Sequence, residues 1–241
     1  MIDQYSKAPI TEAVIELRTA EDVKTTLVDK AHGLLRKRYQ KSERLIEFKV
    51  IVGSNSGSET TPMGYKLTSE AGDYVVQARR VGLGISQLAP YPGWTAFTAE
   101  FEEAYRLWIK AVGRKPLSRI GVRFLNRIDV PIEFDGQLIE SDDYLNVGVK
   151  LPELTRNGAL AWQSATISQV PDTPFKLRLA CASAEGALID HASYQLDIDL
   201  YCDVDVPQAD DDIWALLAQA RDMKNRVFEE CISSRTRALI S

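Results

Sequence analysis

The chain has 241 residues, 45% of them hydrophobic and 26% charged, enough to bury a sizeable core without disulfide or metal support. Its formal net charge of −5 excludes wholesale wrapping by nucleic acid, which needs an excess of Lys and Arg, and leaves room only for a local basic patch. Cys181, Cys202 and Cys231 stand far apart with no CxxC pair, MIDQYSKAPI lacks a basic-then-apolar leader, and no apolar run approaches the roughly 20 residues of a membrane helix; the expected setting is a reducing cytoplasm, without membrane insertion.

AVIELR at 13–18 alternates apolar and polar residues and predicts a short strand. From about Asp22 the period changes to that of a helix, with Val23, Leu27, Ala31, Leu34 and Leu35 on one face. Glu21 and Asp22 suit its start, and Arg36, Lys37 and Arg38 suit its end. LIEFKVIV (45–52) reads as a strand and GSNSGSETTPMG (53–64) as a mobile polar loop. GYKLTSE and DYVVQARRVG flank a hairpin turn at Ala71-Gly72, and LGISQLA is a further strand. PYPGW (90–94) is a rigid corner before a helix over about 94–112, whose stripe is Phe97, Phe101, Ala104, Leu107 and Trp108.

The order then repeats. RIGVRFLNRIDVP (119–131) is a strand and SDDYLNV (141–147) a short helix. LAWQSATISQV, FKLRLACAS and SYQLDIDLYCDVDV are three strands, and a helix follows over 210–240, with Asp210 or Asp211 as its cap. The expected fold is α+β: two antiparallel β-meander-plus-helix halves, β-α-β4-α over 1–115 and β-α-β3-α over 116–241, pointing to a structural duplication. The aperiodic centre, 131–158, is the expected hinge or linker.

QLDIDLYCDVDV (195–206) places Asp197, Asp199, Asp203 and Asp205 on one strand face, opposite the apolar Leu196, Ile198, Leu200, Cys202, Val204 and Val206. The apolar face predicts burial, so the acidic one points to solvent. A register that pairs Arg178 with Asp197 and Lys176 with Asp199 would complement it, each pair contributing roughly 0.2–1 kcal/mol. Ser164, Thr166 and Ser168 on the next strand would extend the same polar face. These four aspartates are the candidate partner-binding residues. A metal site fits them less well, because Asp197 and Asp205 would lie about 27 Å apart and calcium needs roughly 6–8 oxygen ligands. No cofactor is expected.

The candidate anion- or nucleic-acid-binding residues are basic: Arg36, Lys37 and Arg38 at a helix end, Arg79 in a second small cluster, and Arg123 and Arg127 on one face of the 119–131 strand. Asn126 intrudes on that strand's apolar face and must find a hydrogen-bond partner if buried. The two histidines, His32 and His191, have no second His or Cys at metal spacing, and no catalytic motif surrounds them.

APITEAVIELR (8–18), PYPGW (90–94), IGVRFLNRIDVP (120–131), YQLDIDLY (194–201) and VFEECIS (227–233) together resemble a sporadically distributed family of bacterial proteins. The resemblance spans nearly the whole chain. It implies a bacterial or phage setting, a single full-length unit and an association with accessory genes such as defence or toxin–antitoxin modules. It brings no catalytic residues with it.

The function expected from these patterns is a non-enzymatic binding protein that engages a protein partner, such as an effector or toxin, through complementary charge. A nucleotide or nucleic-acid binder is the first alternative. A metal-dependent enzyme using strand carboxylates is the second.

Overall fold

A computed structural model describes residues 5–51, 57–132, 139–150, 152, 161–186 and 188–241. Among them are nine strands and four α-helices. The strands are β1 (Ile10–Thr19), β2 (Lys41–Ile51), β3 (Gly57–Thr68), β4 (Tyr74–Arg79), β5 (Gly82–Leu88), β6 (Leu117–Pro131), β7 (Gln163–Gln169), β8 (Lys176–Ala184) and β9 (His191–Cys202). The helices are α1 (Thr25–Leu35), α2 (Trp94–Val112), α3 (Asp210–Cys231) and α4 (Ser234–Ile240).

The expected pair of separate meander-plus-helix halves is corrected by the strand order. All nine strands form one sheet, ordered β2-β3-β4-β5-β1-β6-β9-β8-β7, and the fold is α+β only in the broad sense. The reason lies in the two strands expected to open separate halves, β1 and β6. They are neighbours in the middle of the sheet, where Arg127 N donates to Pro9 O and Ala20 N to Pro116 O, both at 2.8 Å. The meanders on either side are antiparallel. Antiparallel ladders of this kind tolerate one packed and one wet face, which the alternating sequences require.

By backbone contact the chain divides into two compact units. One holds Val14–Gly121 with Asp203–Ile213; the other holds Met1–Ala13, Val122–Cys202 and Trp214–Ser241. Residues 133–138, 151 and 153–158 of the expected hinge at 131–158 lie outside the described residues, as do 53–56 of the polar loop at 53–64. The rest of that loop is strand, because 57–64 pairs with β2 as part of β3.

In the first unit, α2 buries Phe97, Phe101, Ala104 and Trp108, the stripe its period predicts. Each large apolar side chain so buried contributes about 1.5–3 kcal/mol. Helix α1 is shorter than its charges suggest. It starts at Thr25, with no acidic residue in its first turn, because Asp22 is held instead by Arg80 NH2 at 2.7 Å. At Gly82 (φ +140°) a Cβ would lie 2.0 Å from Leu17 O; only glycine lets β5 turn in beside β1 there.

In the second unit, Leu196, Ile198, Leu200 and Cys202 are all fully buried, and Leu196 and Ile198 share a core with Ile128, Val130, Phe228 and Ile232. The single helix expected over 210–240 is two helices. Ser233 breaks it: its Oγ accepts from Arg235 N at 3.1 Å and Thr236 N at 3.4 Å, capping α4. The same hydroxyl donates to Asp143 O at 2.6 Å. The segment expected as a short helix is a 3₁₀ turn, Ser141–Asp143, followed by a bridge from Leu145 to Ile232.

Candidate functional site

The four aspartates do not share one strand face. Strand β9 ends at Cys202, so Asp203 and Asp205 lie beyond it, Asp205 with a left-handed φ of 50°. Asp197 does not point into solvent either: it is 7% exposed. Arg123 grips it with two parallel bonds, Nε to Oδ1 and NH2 to Oδ2, each 2.7 Å. Arg178 NH1 adds a third at 2.9 Å. Fork-on-carboxylate geometry is the strongest form of such a pair, and it fixes β6 and β8 to the central β9 on the polar side of the sheet. Asp199 is half-buried.

The register differs from the expected one by two residues. Arg178 lies opposite Asp199 and Lys176 opposite Tyr201, while Ala180 faces Asp197. A two-residue slip keeps every side chain on its face, so Arg178 still reaches Asp197, diagonally. The outer strand does not keep its expected face. Ser164, Thr166 and Ser168 lie opposite Cys181, Leu179 and Leu177, which puts them on the apolar side. Ile167, opposite Arg178, shares the polar side and is 67% exposed.

Most of the basic candidates are already paired. Arg127 donates to Asp129 at 2.9 Å, to Ser193 Oγ at 3.0 Å and to Glu185 O at 2.5 Å. Burial opposes the charge on Asp129, but hydrogen bonds from Ser193 and Arg127 hold its carboxyl below the usual range. Arg79, with Arg18 and Arg119, donates to Glu16. There too burial is outweighed by the arginine charges, which lower the Glu16 pKa. Arg38 donates to Glu100, 2.7 Å from Nε, and Tyr39 OH donates to the same carboxylate at 2.6 Å. Arg36 and Lys37 are exposed, and Arg36 N closes α1 by donating to His32 O at 2.9 Å. The basic residues of each unit are thus dispersed over several ion pairs. Asn126 finds its partner: Nδ2 donates to Leu196 O at 3.1 Å.

Three groups escaped the sequence reading. Lys224 occupies the core-facing stripe of α3 and is 7% exposed. Its Nζ sits 4.0 Å from the Phe124 ring centroid, and burial, with Arg221 nearby, pushes its pKa down to about 7. Its place in the 213, 217, 220, 224, 228 and 231 series is readable on a helical wheel. Glu16 alternates with buried residues in β1 and drew no notice as a carboxylate. The third group joins α1, β2 and β3. His32 Nε2 is 3.0 Å from Ser42 Oγ, the imidazole stacks on Tyr65 at 4.0 Å and 14°, and Tyr65 OH donates to Asp29 at 2.8 Å. Burial and the Arg36 charge lower the His32 pKa against a smaller opposing effect of Asp29, so the ring is neutral near pH 7. Cys181 and Cys231 are buried thiols, pushed up to about 11 and about 12 by desolvation, and are unreactive at neutral pH.

Strand β2 ends the sheet. On it Ile46 is 58% exposed and Phe48 61%. By alternation they continue the face of Ser42. Among the described residues no group of three or more His, Cys, Asp or Glu side chains is arranged to hold a metal ion, and no helix is long and apolar enough to cross a membrane.

No protein-family model and no curated protein matches the chain. Among solved structures, the di-domain ARO/CYC StfQ from the steffimycin biosynthetic pathway is similar at 11% identity, over 94% of this chain and 96% of that one, with a TM-score of 0.20. A TM-score that low does not show a shared fold.

Proposed function

We propose that the chain is a binding protein whose partner is another protein, held on strand β2. The observation that carries this reading is the exposure of Ile46 and Phe48, 58% and 61%, on a strand with a neighbour on one side only among the described residues. An edge strand offers unpaired backbone N–H and C=O groups to an incoming strand, and flanking side chains set its choice of partner. Ile46 and Phe48 supply an apolar anchor of about 1–2 kcal/mol each on being covered. The exposed Lys41, Glu43 and Arg44 beside them discourage indiscriminate pairing and favour a partner of matching charge. The resemblance to a sporadic bacterial family makes a co-inherited effector or toxin the first partner to seek.

The acidic strand supports this role less well, because Asp197 is buried and its charge is met within the chain. The test is co-purification from the native host with three baits: the wild-type chain, I46S/F48S, and I167S as a control with an exposed apolar residue on the other end strand. A stoichiometric protein retained by wild type and I167S and lost by I46S/F48S supports the reading. Equal recovery with all three baits, or none with wild type, overturns it.

A further inference from the structure

A serine hydroxyl at hydrogen-bond distance from an imidazole nitrogen, with that ring oriented by a third group, is the signature of an activated nucleophile. The α1–β2–β3 cluster has these parts. Ser42 Oγ lies 3.0 Å from His32 Nε2. The ring cannot turn away freely, since Tyr65 stacks on it at 4.0 Å and is itself tied to Asp29 at 2.8 Å. Asp29 therefore acts through Tyr65 as a positioning residue. Two cations flank the pair. Arg36, one turn after His32 on the chain, is close enough for its charge to be felt there. Arg44, the next residue on the Ser42 face of β2, lies opposite Tyr65 and acts on it electrostatically. Ser42 and Arg44 are about 7 Å apart along the strand. Ser42, Arg36 and Arg44 are all exposed, so a small substrate can reach them.

We propose that Ser42 and His32 are a nucleophile–base pair that hydrolyses small carboxylic esters carrying a second, anionic group, which Arg44 receives. The Ser42 Oγ lone pair attacks the ester carbon, forming an Oγ–C bond. The Oγ proton passes to His32 Nε2. The bond from carbon to the leaving oxygen then breaks, that oxygen keeping the electron pair and taking the proton from His32. Water, deprotonated by the same nitrogen, attacks the acyl-serine; the bond from carbon to Oγ breaks, Oγ keeps the electron pair and takes the proton back from His32, and the acid is released. The spacing from Ser42 to Arg44 selects esters whose carboxylate stands three to five bonds from the reacting carbon. The pair shares strand β2 and Arg44 with the proposed partner surface, but turnover and labelling of Ser42 are read on the free chain, so they fail or stand whether or not a partner binds.

The experiment uses the full chain with mono-4-nitrophenyl glutarate and, as the neutral comparison, 4-nitrophenyl acetate. A fluorophosphonate then labels the nucleophile, read by intact mass and peptide mapping. Expected are turnover of the glutarate ester, a single adduct on Ser42, and a fall in kcat/KM of about 100-fold in each of S42A and H32Q. R44A should raise KM about tenfold for the glutarate ester and leave the acetate ester unchanged. Thermal melts of the variants matching wild type show that the fold is kept. Equal turnover by S42A, or labelling at residues other than Ser42, overturns the nucleophile assignment. Equal KM in R44A overturns the anionic specificity.

Discussion

Replacing Lys224 by methionine should stabilise the protein and remove a specific part of its pH dependence. Lys224 is buried, with its Nζ over the Phe124 ring, and it makes no hydrogen bond or ion pair to the described residues. Its pKa falls from 10.5 to about 7, equivalent to about 5 kcal/mol of differential interaction between the two protonation states. The sign follows from proton counting. Between pH 7 and 10.5 the unfolded chain holds a proton on this lysine that the folded chain has released, so stability rises with pH across that window. Below pH 7 the full penalty applies. From pH 7 to pH 9 the gain is about 2 kcal/mol for this group alone. Methionine has similar length, no charge and good packing in irregular apolar space. K224M should therefore be more stable than wild type by about 2–4 kcal/mol at pH 7, the difference narrowing by about 2 kcal/mol at pH 9. Urea unfolding at pH 7, 8 and 9 measures both. Parallel stability curves for wild type and K224M, or a less stable K224M at pH 7, would refute the placement of a neutralised lysine in this core.

Other outcomes follow from the ion pairs and the cap. D197N removes the negative charge and replaces one of the two oxygens that accept from Arg123 and Arg178 with an NH2 donor, and should lower stability by about 1–3 kcal/mol in urea unfolding, a range reduced from that of a fully buried pair because both arginines are partly exposed. Glu16 and Asp129 have lowered pKa values, so each contributes stability above the usual carboxylate range that is lost as pH falls through its folded-state pKa. In an acid titration followed by circular dichroism, E16Q should shift less steeply than wild type. S233A removes the oxygen that caps α4 and should cost about 1 kcal/mol; a loss confined to the last turns would show as faster amide exchange over Ser234–Ile240 alone.

Side-chain parity was legible in the residues, and long-range pairing was not. The alternation of Leu196, Ile198, Leu200 and Cys202 marks a buried face, and Phe97, Phe101, Ala104 and Trp108 mark the buried side of α2. Both depend only on local geometry. The single sheet depends on β1 lying beside β6, about a hundred residues away in sequence, and no local period encodes that choice. Register is equally non-local. The polar face of β8 follows from its alternation, but whether Arg178 stands opposite Asp197 or Asp199 is set by the length of the connection at 185–190. Asp197 looked like a wet-face residue because its own strand says nothing about the two arginines that neighbouring strands bring to it. Asn126 was recognisable as a polar group needing a partner, which is Leu196 O; Arg123 and Arg127, expected to receive an anion or nucleic acid, donate to Asp197 and Asp129. His32 and Ser42 are only ten residues apart, yet their contact depends on α1 docking over β2, which composition cannot show. Ile46 and Phe48 read as ordinary strand residues. Their exposure comes from the place of β2 at the end of the strand order.

We propose that a partner protein adds to strand β2. Amide hydrogen exchange over 41–49, compared between the free chain and the chain recovered with its partner, tests it most directly. Rapid exchange is expected at the outward-facing amides of β2 in the free protein and slow exchange in the complex, with Ile46 and Phe48 at the centre of the protected stretch. Unchanged exchange across β2 in a stoichiometric complex, with protection elsewhere on the chain, would contradict it.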